Sequence, residues 1–355
     1  MADRVGPIQQ VDRRTTEQTR ILIVFEGRVL RRSVVSVAAA ALALTACGGS
    51  DESPKAADKA PDSSSPPEPV RQPFTGEMVD VVPKGGSLTV KIDNTDAAQP
   101  QAGLAGADLV FEELVEGGIT RLAAVFYGTK PEQVGPVRSM RTSDIGIVAP
   151  TRGMLAASGA ASRPARAIKA ADIPTATPGK AGFSRDGQRR APYNLMLKPS
   201  ELQGRLEKLP PPPDYFVWAE PDATAPTGKP AKKVSVKFSP FHTTDWTFRA
   251  GAGWTRQQEL AGKRPFPVTN LLALSVKVRD AGYRDVAGNP VPETVLEGSG
   301  KAWLFREGKV VTARWSKQEP AAQLELTGAD GAPLPLPVGR TWVELVPTTG
   351  GVSTR

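Results

Sequence analysis

Apolar and polar positions alternate most regularly between residues 88 and 127. Leu88 to Asp93 (LTVKID) and Leu109 to Glu116 (LVFEELVE) both read with the period of two that a strand requires. Gly117-Gly118 supplies the positive φ of a tight turn, and a second apolar run, Ile119 to Tyr127, returns beside the first as a hairpin. A two-residue turn sets Glu116 opposite Ile119 and Leu114 opposite Arg121, so Arg121 is expected on the same face as Glu112 and Glu116. Arg141 to Ile147 predicts a short helix on which Arg141 and Asp144 share one side. Beyond it, Gly153 to Ala157 reads as a small-residue strand, Ser158 to Ser162 as a tight loop and Arg163 to Ala171 as a helix. Tyr193 to Leu197 then reads as a strand end and Pro199 to Leu206 as a further helix.

From Val234 the pattern becomes that of successive strands: VSVKF, DWTFRA and WTRQQ about a Gly-rich turn, LLALSVKVRD, ETVLEG, then KAWLFR and KVVTARW about Glu307-Gly308, AAQLEL and RTWVELV. The fold class predicted is α+β, with an N-terminal mixed α/β domain followed by a C-terminal antiparallel β-rich domain. Trp246, Trp254, Trp303, Trp315 and Trp342 all fall in the second part, where packing on a sheet face is the default and a sugar-stacking surface the alternative.

Composition sets the boundaries. Cys47 is the sole cysteine, which excludes an internal disulfide. It follows Arg28, Arg31 and Arg32 and an apolar run from Val34 to Leu44, too short to span a bilayer but right for a signal sequence. Leu44-Thr45-Ala46-Cys47-Gly48 has the form of a lipobox, with Cys47 as the lipidated residue. Residues 1–46 are thus expected to be a lipoprotein signal region, within which 1–28 read as lying upstream of the true start. Residues 47–78, rich in Pro, Ser, Asp and Lys, are expected to be a disordered tether. Residues 79–210 are the predicted N-terminal domain, 211–232 a Pro-rich linker (it follows Leu209-Pro210) and 233–350 the C-terminal domain. The net charge of +8 includes +3 from seven arginines and four acids in residues 1–46. The remainder carries no dense basic stripe with interleaved aromatics, so nucleic acid is not an expected partner.

Candidate chemistry centres on Glu112, Glu116, Arg121, Arg138, Arg141 and Asp144, three carboxylates and three guanidinium groups set among apolar residues. Two readings stand: structural ion pairs fixing a hairpin to a helix, or a pocket whose arginines grip phosphate or carboxylate by their planar forks. Asp93, Asn94, Asp108 and Ser158 are secondary candidates. Asp93, Asp108 and the glutamates are the groups available to a divalent metal, although no recognised ligand spacing announces one, and no cofactor is implied. With a single, sequence-distant His242 and no Cys/His cluster, a Ser-His-acid triad or a zinc site has no support.

These segments together resemble the YerB-type lipoproteins of Gram-positive bacteria, a family with a two-part domain of unknown function. The N-terminal part of the resemblance rests on Val90-Lys91-Ile92-Asp93-Asn94, Pro100-Gln101, Gly103-Leu104, Ala107-Asp108, Glu112-Glu113 and the run Glu116 to Arg121. It continues through Gly135-Pro136-Val137-Arg138-Ser139, Arg141, Asp144 and Arg190 to Leu195. In the C-terminal part it rests on Gly298 to Ala302, Arg306 to Lys309, Trp315 and Gly339 to Trp342. VEGGITR and GPVRSMR are its most specific runs, and it covers about residues 80 to 350. The resemblance implies an exported, lipid-anchored envelope protein of two joined domains, without an established reaction. This chain departs from the pattern at Ala157 and Tyr193, where relatives often carry histidine. The functions that follow are binding of an anionic envelope ligand, protein interaction in an envelope assembly, or carboxylate- or metal-dependent hydrolysis. The membrane, through lipid on Cys47, is a partner in each.

Overall fold

Alternating β-branched and aromatic residues, broken often by Gly and Pro, leave little room for helices. The structure, a computed structural model, describes residues 68–220, 227–257 and 266–355. Residues 1–67, which carry the predicted signal region, Cys47 and most of the tether, lie outside the described residues. Strands β1 (Val70–Arg71) and β2 (Met78–Val79) form a small hairpin. They are followed by β3 (Leu88–Asp93), β4 (Leu109–Leu114), β5 (Thr120–Phe126), helix α1 (Asp144–Val148), β6 (Met154–Ala156), helix α2 (Ser162–Ala170) and β7 (Thr175–Ala176). The hairpin β8 (Phe183–Arg185) and β9 (Leu195–Leu197) and helix α3 (Gln203–Leu206) complete the N-terminal half. The C-terminal half contains β10 (Lys229–Pro230), β11 (Lys233–Lys237), β12 (Thr243–Arg249), β13 (Gly253–Arg256), β14 (Asn270–Arg284) and β15 (Pro290–Val295). After these come β16 (Gly298–Arg306), β17 (Lys309–Lys317), β18 (Glu325–Gly328), β19 (Thr341–Pro347) and β20 (Gly351–Thr354).

One large sheet runs through both halves in the order β10-β17-β16-β14-β19-β4-β5-β3-β6-β7. The halves join where β19 pairs in parallel with β4, Trp342 opposite Val110 and Glu344 opposite Glu112. Alternation along these strands divides the interior into two cores. Val90, Val110, Leu122, Leu271 and Trp342 face a second sheet, β13-β12-β11-β20, and pack on its Val234, Val236, Trp246 and Trp254. Phe111, Ala123, Val125, Leu272 and Val343 face the other way, onto Ile147 and Val148 of α1 and Ile168 of α2. Tyr215, Phe216 and Trp218, within the stretch expected to be a linker, are buried in that second core. Trp246, Trp254, Trp315 and Trp342 are fully buried, in keeping with the packing role.

The N-terminal half is strand-rich, and the helices expected of a mixed α/β domain are short there: α1, α2 and α3 have five, nine and four residues. Their apolar periodicity is cut short by Gly and Pro before a longer helix can form. The β4–β5 turn has three residues, not two. Glu116, Gly117 and Gly118 make a 3-10 turn closed by the Val115 N–H to the Ile119 carbonyl (2.8 Å), with φ +73° at Gly117 and +72° at Gly118. The extra residue shifts the pairing by one, so that Arg121 faces Glu113 and Leu114 faces Thr120. Since side chains alternate, Glu112 is thereby turned to the opposite face from Arg121.

Candidate functional site

The one-residue shift separates the predicted cluster into distinct groups. Glu116, at the turn, is the hub of the first. Its Oε1 accepts from Arg121 Nη2 (2.7 Å) and from Arg141 Nη2, and its Oε2 from Arg141 Nε (3.0 Å). Burial alone would push the Glu116 carboxyl up, but the Arg141 bonds and the Arg121 charge outweigh it and hold it below the ordinary value. Arg121 Nη1 donates to the Ser139 carbonyl (3.2 Å) and Arg141 Nη1 to the Met140 carbonyl (2.9 Å). Both guanidinium groups are buried.

Arg138 differs. Its Nε bonds Asp93, whose other oxygen takes the Thr95 N–H (2.8 Å) and hydroxyl (2.6 Å). The guanidinium lies over the Tyr193 ring at 5.3 Å, and the side chain is 24% exposed. Beside it the Ser139 and Ser158 hydroxyls are 3.1 Å apart. The Ser158 N–H donates to the Arg138 carbonyl (2.9 Å) and the Met140 N–H to that of Gly159 (3.0 Å), which ties the loop leading into α2 to the Arg138 segment.

Asp144 belongs to a third group, on the same face as Glu113. Fully buried Lys91 bridges Glu113 and Asp144 (2.8 Å to the latter), and Asp144 also accepts the Arg141 N–H (2.6 Å). Arg141 and Asp144 are therefore joined through backbone, not as a side-chain pair. Burial raises Asp144 to about 6 against the pull of the Lys91 charge. Asp108 stands apart, accepting the N–H groups of Tyr127 (2.6 Å) and Gly128 (3.0 Å), and burial raises it too, to about 6. Among the described residues no group of three His, Cys, Asp or Glu side chains is arranged to hold a metal.

Glu112 and Asn94 meet instead with residues of the C-terminal half. Glu112 Oε1 accepts from Asn94 Nδ2 (3.0 Å), Thr120 Oγ1 (2.8 Å) and Thr244 Oγ1 (2.8 Å), and lies 2.9 Å from His242 Nε2. Arg256 Nη1 donates to Asn94 Oδ1 (3.0 Å), stands 3.9 Å from Glu112 Oε2, and its guanidinium lies 4.2 Å over the Trp342 ring. Burial works against charge on Glu112, but the His242 bond and Arg256 bring it below its usual value. Glu344 is its neighbour across the strand pair and accepts from Trp246 Nε1 (2.6 Å). Burial, then the Glu112 charge, push Glu344 well above the ordinary range, so it keeps its proton.

His242, far from Glu112 in sequence, is thus in contact with it, a contact that sequence distance alone did not suggest. Sequence reasoning also left out Lys91, Glu113, Thr244, Arg256 and Glu344 as site residues. A signal existed for two of them, since Lys91 and Glu344 are charged positions inside otherwise apolar strands.

Residues 74–211 match the N-terminal domain, and residues 231–343 the C-terminal domain, of DUF3048, a protein family of unknown function. The chain belongs to this family. A Bacillus subtilis (strain 168) protein named "Putative lipoprotein YerB" is 27% identical over 327 residues, covering 83% of this chain and 91% of that protein. A crystal structure of the YerB protein from Bacillus subtilis superimposes with a TM-score of 0.65 at 22% identity, covering 80% of this chain and all of the other. The DUF3048 fold thus unites its two named domains in one sheet here. Among the described residues no helix is long and apolar enough to cross a membrane.

Proposed function

We propose that this DUF3048 protein is held at the outer face of the cell membrane by lipid on Cys47 and binds an anionic ligand, phosphate or carboxylate, through Arg138. The carrying observation is the contrast among its arginines. Arg141 gives its fork to both oxygens of Glu116, and Arg121 gives one amino group to the same carboxylate. Arg138 gives only Nε to Asp93, and among the described residues its two terminal amino groups have no hydrogen-bond partner. That amino pair, on a guanidinium centred 5.3 Å from the Tyr193 ring, can make two parallel bonds to one oxyanion. Ser139 and Ser158 offer hydroxyl donors beside it. The lipid anchor rests on the lipobox at Cys47 and on the name of the relative.

The test is a melt of the full chain with orthophosphate and with short dicarboxylates. At 100 times its Kd a ligand stabilises by about 2.7 kcal/mol. A shift seen in the native chain and lost in Arg138→Ala supports the reading, and no shift with any anion removes it.

One observation favours a second reading, hydrolysis. His242 bonded to an ionised Glu112 is the arrangement of a general base. Turnover of p-nitrophenyl esters that disappears in His242→Gln at an unchanged melting point would carry it, and absence of turnover rejects it.

A further inference from the structure

Between Arg163 and Arg190 the chain carries seven basic residues against Asp172 and Asp186. Three of them form a stripe on α2. Pro164 and Ile168 are the buried side of that helix, and Arg163, Arg166 and Lys169 follow one another at every third position on the opposite, exposed side. At 1.5 Å per residue their Cα atoms rise about 4.5 Å from one to the next. The helix contains no acid, and among the described residues no ion pair engages these three cations. Arg185 and Arg189 are held by Asn194 and by the Ala98 and Pro100 carbonyls, whereas Lys180 and Arg190 are exposed.

Both ends of this basic run return to Arg138. The α2 stripe begins just after the Ser158–Ala161 loop, which is hydrogen-bonded to the Arg138 segment. Arg190 lies three residues before Tyr193, the ring beneath the Arg138 guanidinium. Cations without internal partners repel one another weakly through solvent, and a ligand carrying repeated negative charge is attracted to the potential they share. A single phosphate on Arg138 leaves the stripe unneutralised.

We infer that Arg138 is one subsite of a track along α2, and that the occupant is a linear polymer with a phosphate in each repeat. The inference rests on the Arg138 anion site proposed above and extends it. A nucleic acid has the same charge repeat, but the stripe offers no aromatic platform for bases: Tyr193 is covered by Arg138, and α2 has no aromatic residue.

The experiment measures binding of orthophosphate, inorganic polyphosphate and a single-stranded oligonucleotide of equal charge to the full chain across a salt series. The native chain is compared with Arg138→Ala and with the triple variant Arg163→Gln, Arg166→Gln, Lys169→Gln, whose exposed positions leave the melt unchanged. Polyphosphate is expected to bind at least about tenfold more tightly than orthophosphate, with a steep salt dependence from counter-ion release. The triple variant should lose that advantage and flatten the salt slope while binding orthophosphate as before, and Arg138→Ala should weaken both ligands. Unchanged polyphosphate binding and slope in the triple variant overturn the track but leave the Arg138 site standing. Polyphosphate binding lost in the triple variant and indifferent to Arg138→Ala removes Arg138 from the track and overturns the inference as stated. An oligonucleotide bound as tightly as polyphosphate rejects the phosphate-polymer occupant, and a native chain that binds none of the three rejects both proposals.

Discussion

Glu112 and Glu344 lie directly opposite each other on the parallel strands β4 and β19, both without exposed surface, at the join between the two halves of the fold. Two buried carboxyl groups in contact cannot both ionise, and the surroundings decide which one does. Glu112 has the donors, from Asn94, Thr120, Thr244 and His242, with Arg256 nearby, and carries the charge. Among the described residues Glu344 accepts from the Trp246 N–H, and burial beside the Glu112 charge keeps its proton on.

Replacing Glu344 by Gln should therefore stabilise the protein above neutral pH. The amide still accepts from Trp246 and donates to Glu112, and it has no charge to desolvate. The folded pKa of Glu344 lies above its unfolded value of 4.5, so the folded chain holds the extra proton. Its contribution to stability is full below about pH 4.5 and lost as pH rises through the folded value. Glu344→Gln is expected to be near neutral at pH 4.5 and to gain about 1–2 kcal/mol by pH 8. Glu112→Gln should instead cost about 2–4 kcal/mol, because an amide cannot serve all the donors converging on Oε1. Denaturant titrations at the two pH values measure both.

The arginines should divide in the same way. Glu116→Gln leaves Arg121 and Arg141 buried around a neutral group, at an expected cost of about 3–5 kcal/mol. Arg138→Ala removes a quarter-exposed partner from Asp93, which retains both bonds from Thr95. Its cost should be about 1 kcal/mol or less. Melts of equal depth for the two variants would remove the distinction between a structural hub and an available arginine.

Much of this architecture was legible in local pattern. Alternation located β3, β4 and β5, and the small residues around Ser158 located the loop between β6 and α2. The register of the β4–β5 turn was not legible, because Gly117-Gly118 suits a two-residue turn as well as a three-residue turn in which Glu116 joins the loop. That single residue decides which face Glu112 occupies. The pairing of Glu112 with Glu344 and His242 was beyond reach for a different reason. It depends on β19 docking beside β4 and on β12 folding over them, contacts set by packing of the whole chain and not by any spacing within it.

The turn itself can be tested. Gly117 and Gly118 both have positive φ, but a Cβ on Gly117 meets nothing within 4 Å, while one on Gly118 would lie 2.9 Å from Phe241 Cδ2 and 3.1 Å from Ser239 Oγ. Gly117→Ala should cost about 1 kcal/mol from backbone strain alone. Gly118→Ala should cost more, since it must also displace the Ser239 hydroxyl that donates to the Gly118 carbonyl (2.6 Å). Equal losses would mean that the 239–242 turn does not rest on this hairpin.

Lys317 supplies the last pH test, in the opposite direction from Glu344. Its ammonium is buried between the halves and donates to the Gly146 carbonyl of α1. Burial, only partly offset by the charge of Glu297, lowers it from 10.5 to about 7. The folded chain releases this proton near pH 7 and the unfolded chain only near 10.5, so between those values the native state binds fewer protons and its stability rises with pH. Below pH 7 the charged amine must be kept desolvated, against which one carbonyl is modest compensation. Lys317→Met should accordingly raise stability at pH 6 by about 2 kcal/mol, with the gain shrinking as pH climbs from about 7 towards 10.5. Stability curves of the two proteins that run parallel from pH 6 to 10 would mean that Lys317 is solvated or paired well enough to keep its ordinary proton affinity. In that case the joint between β17 and α1 is wetter than its burial implies.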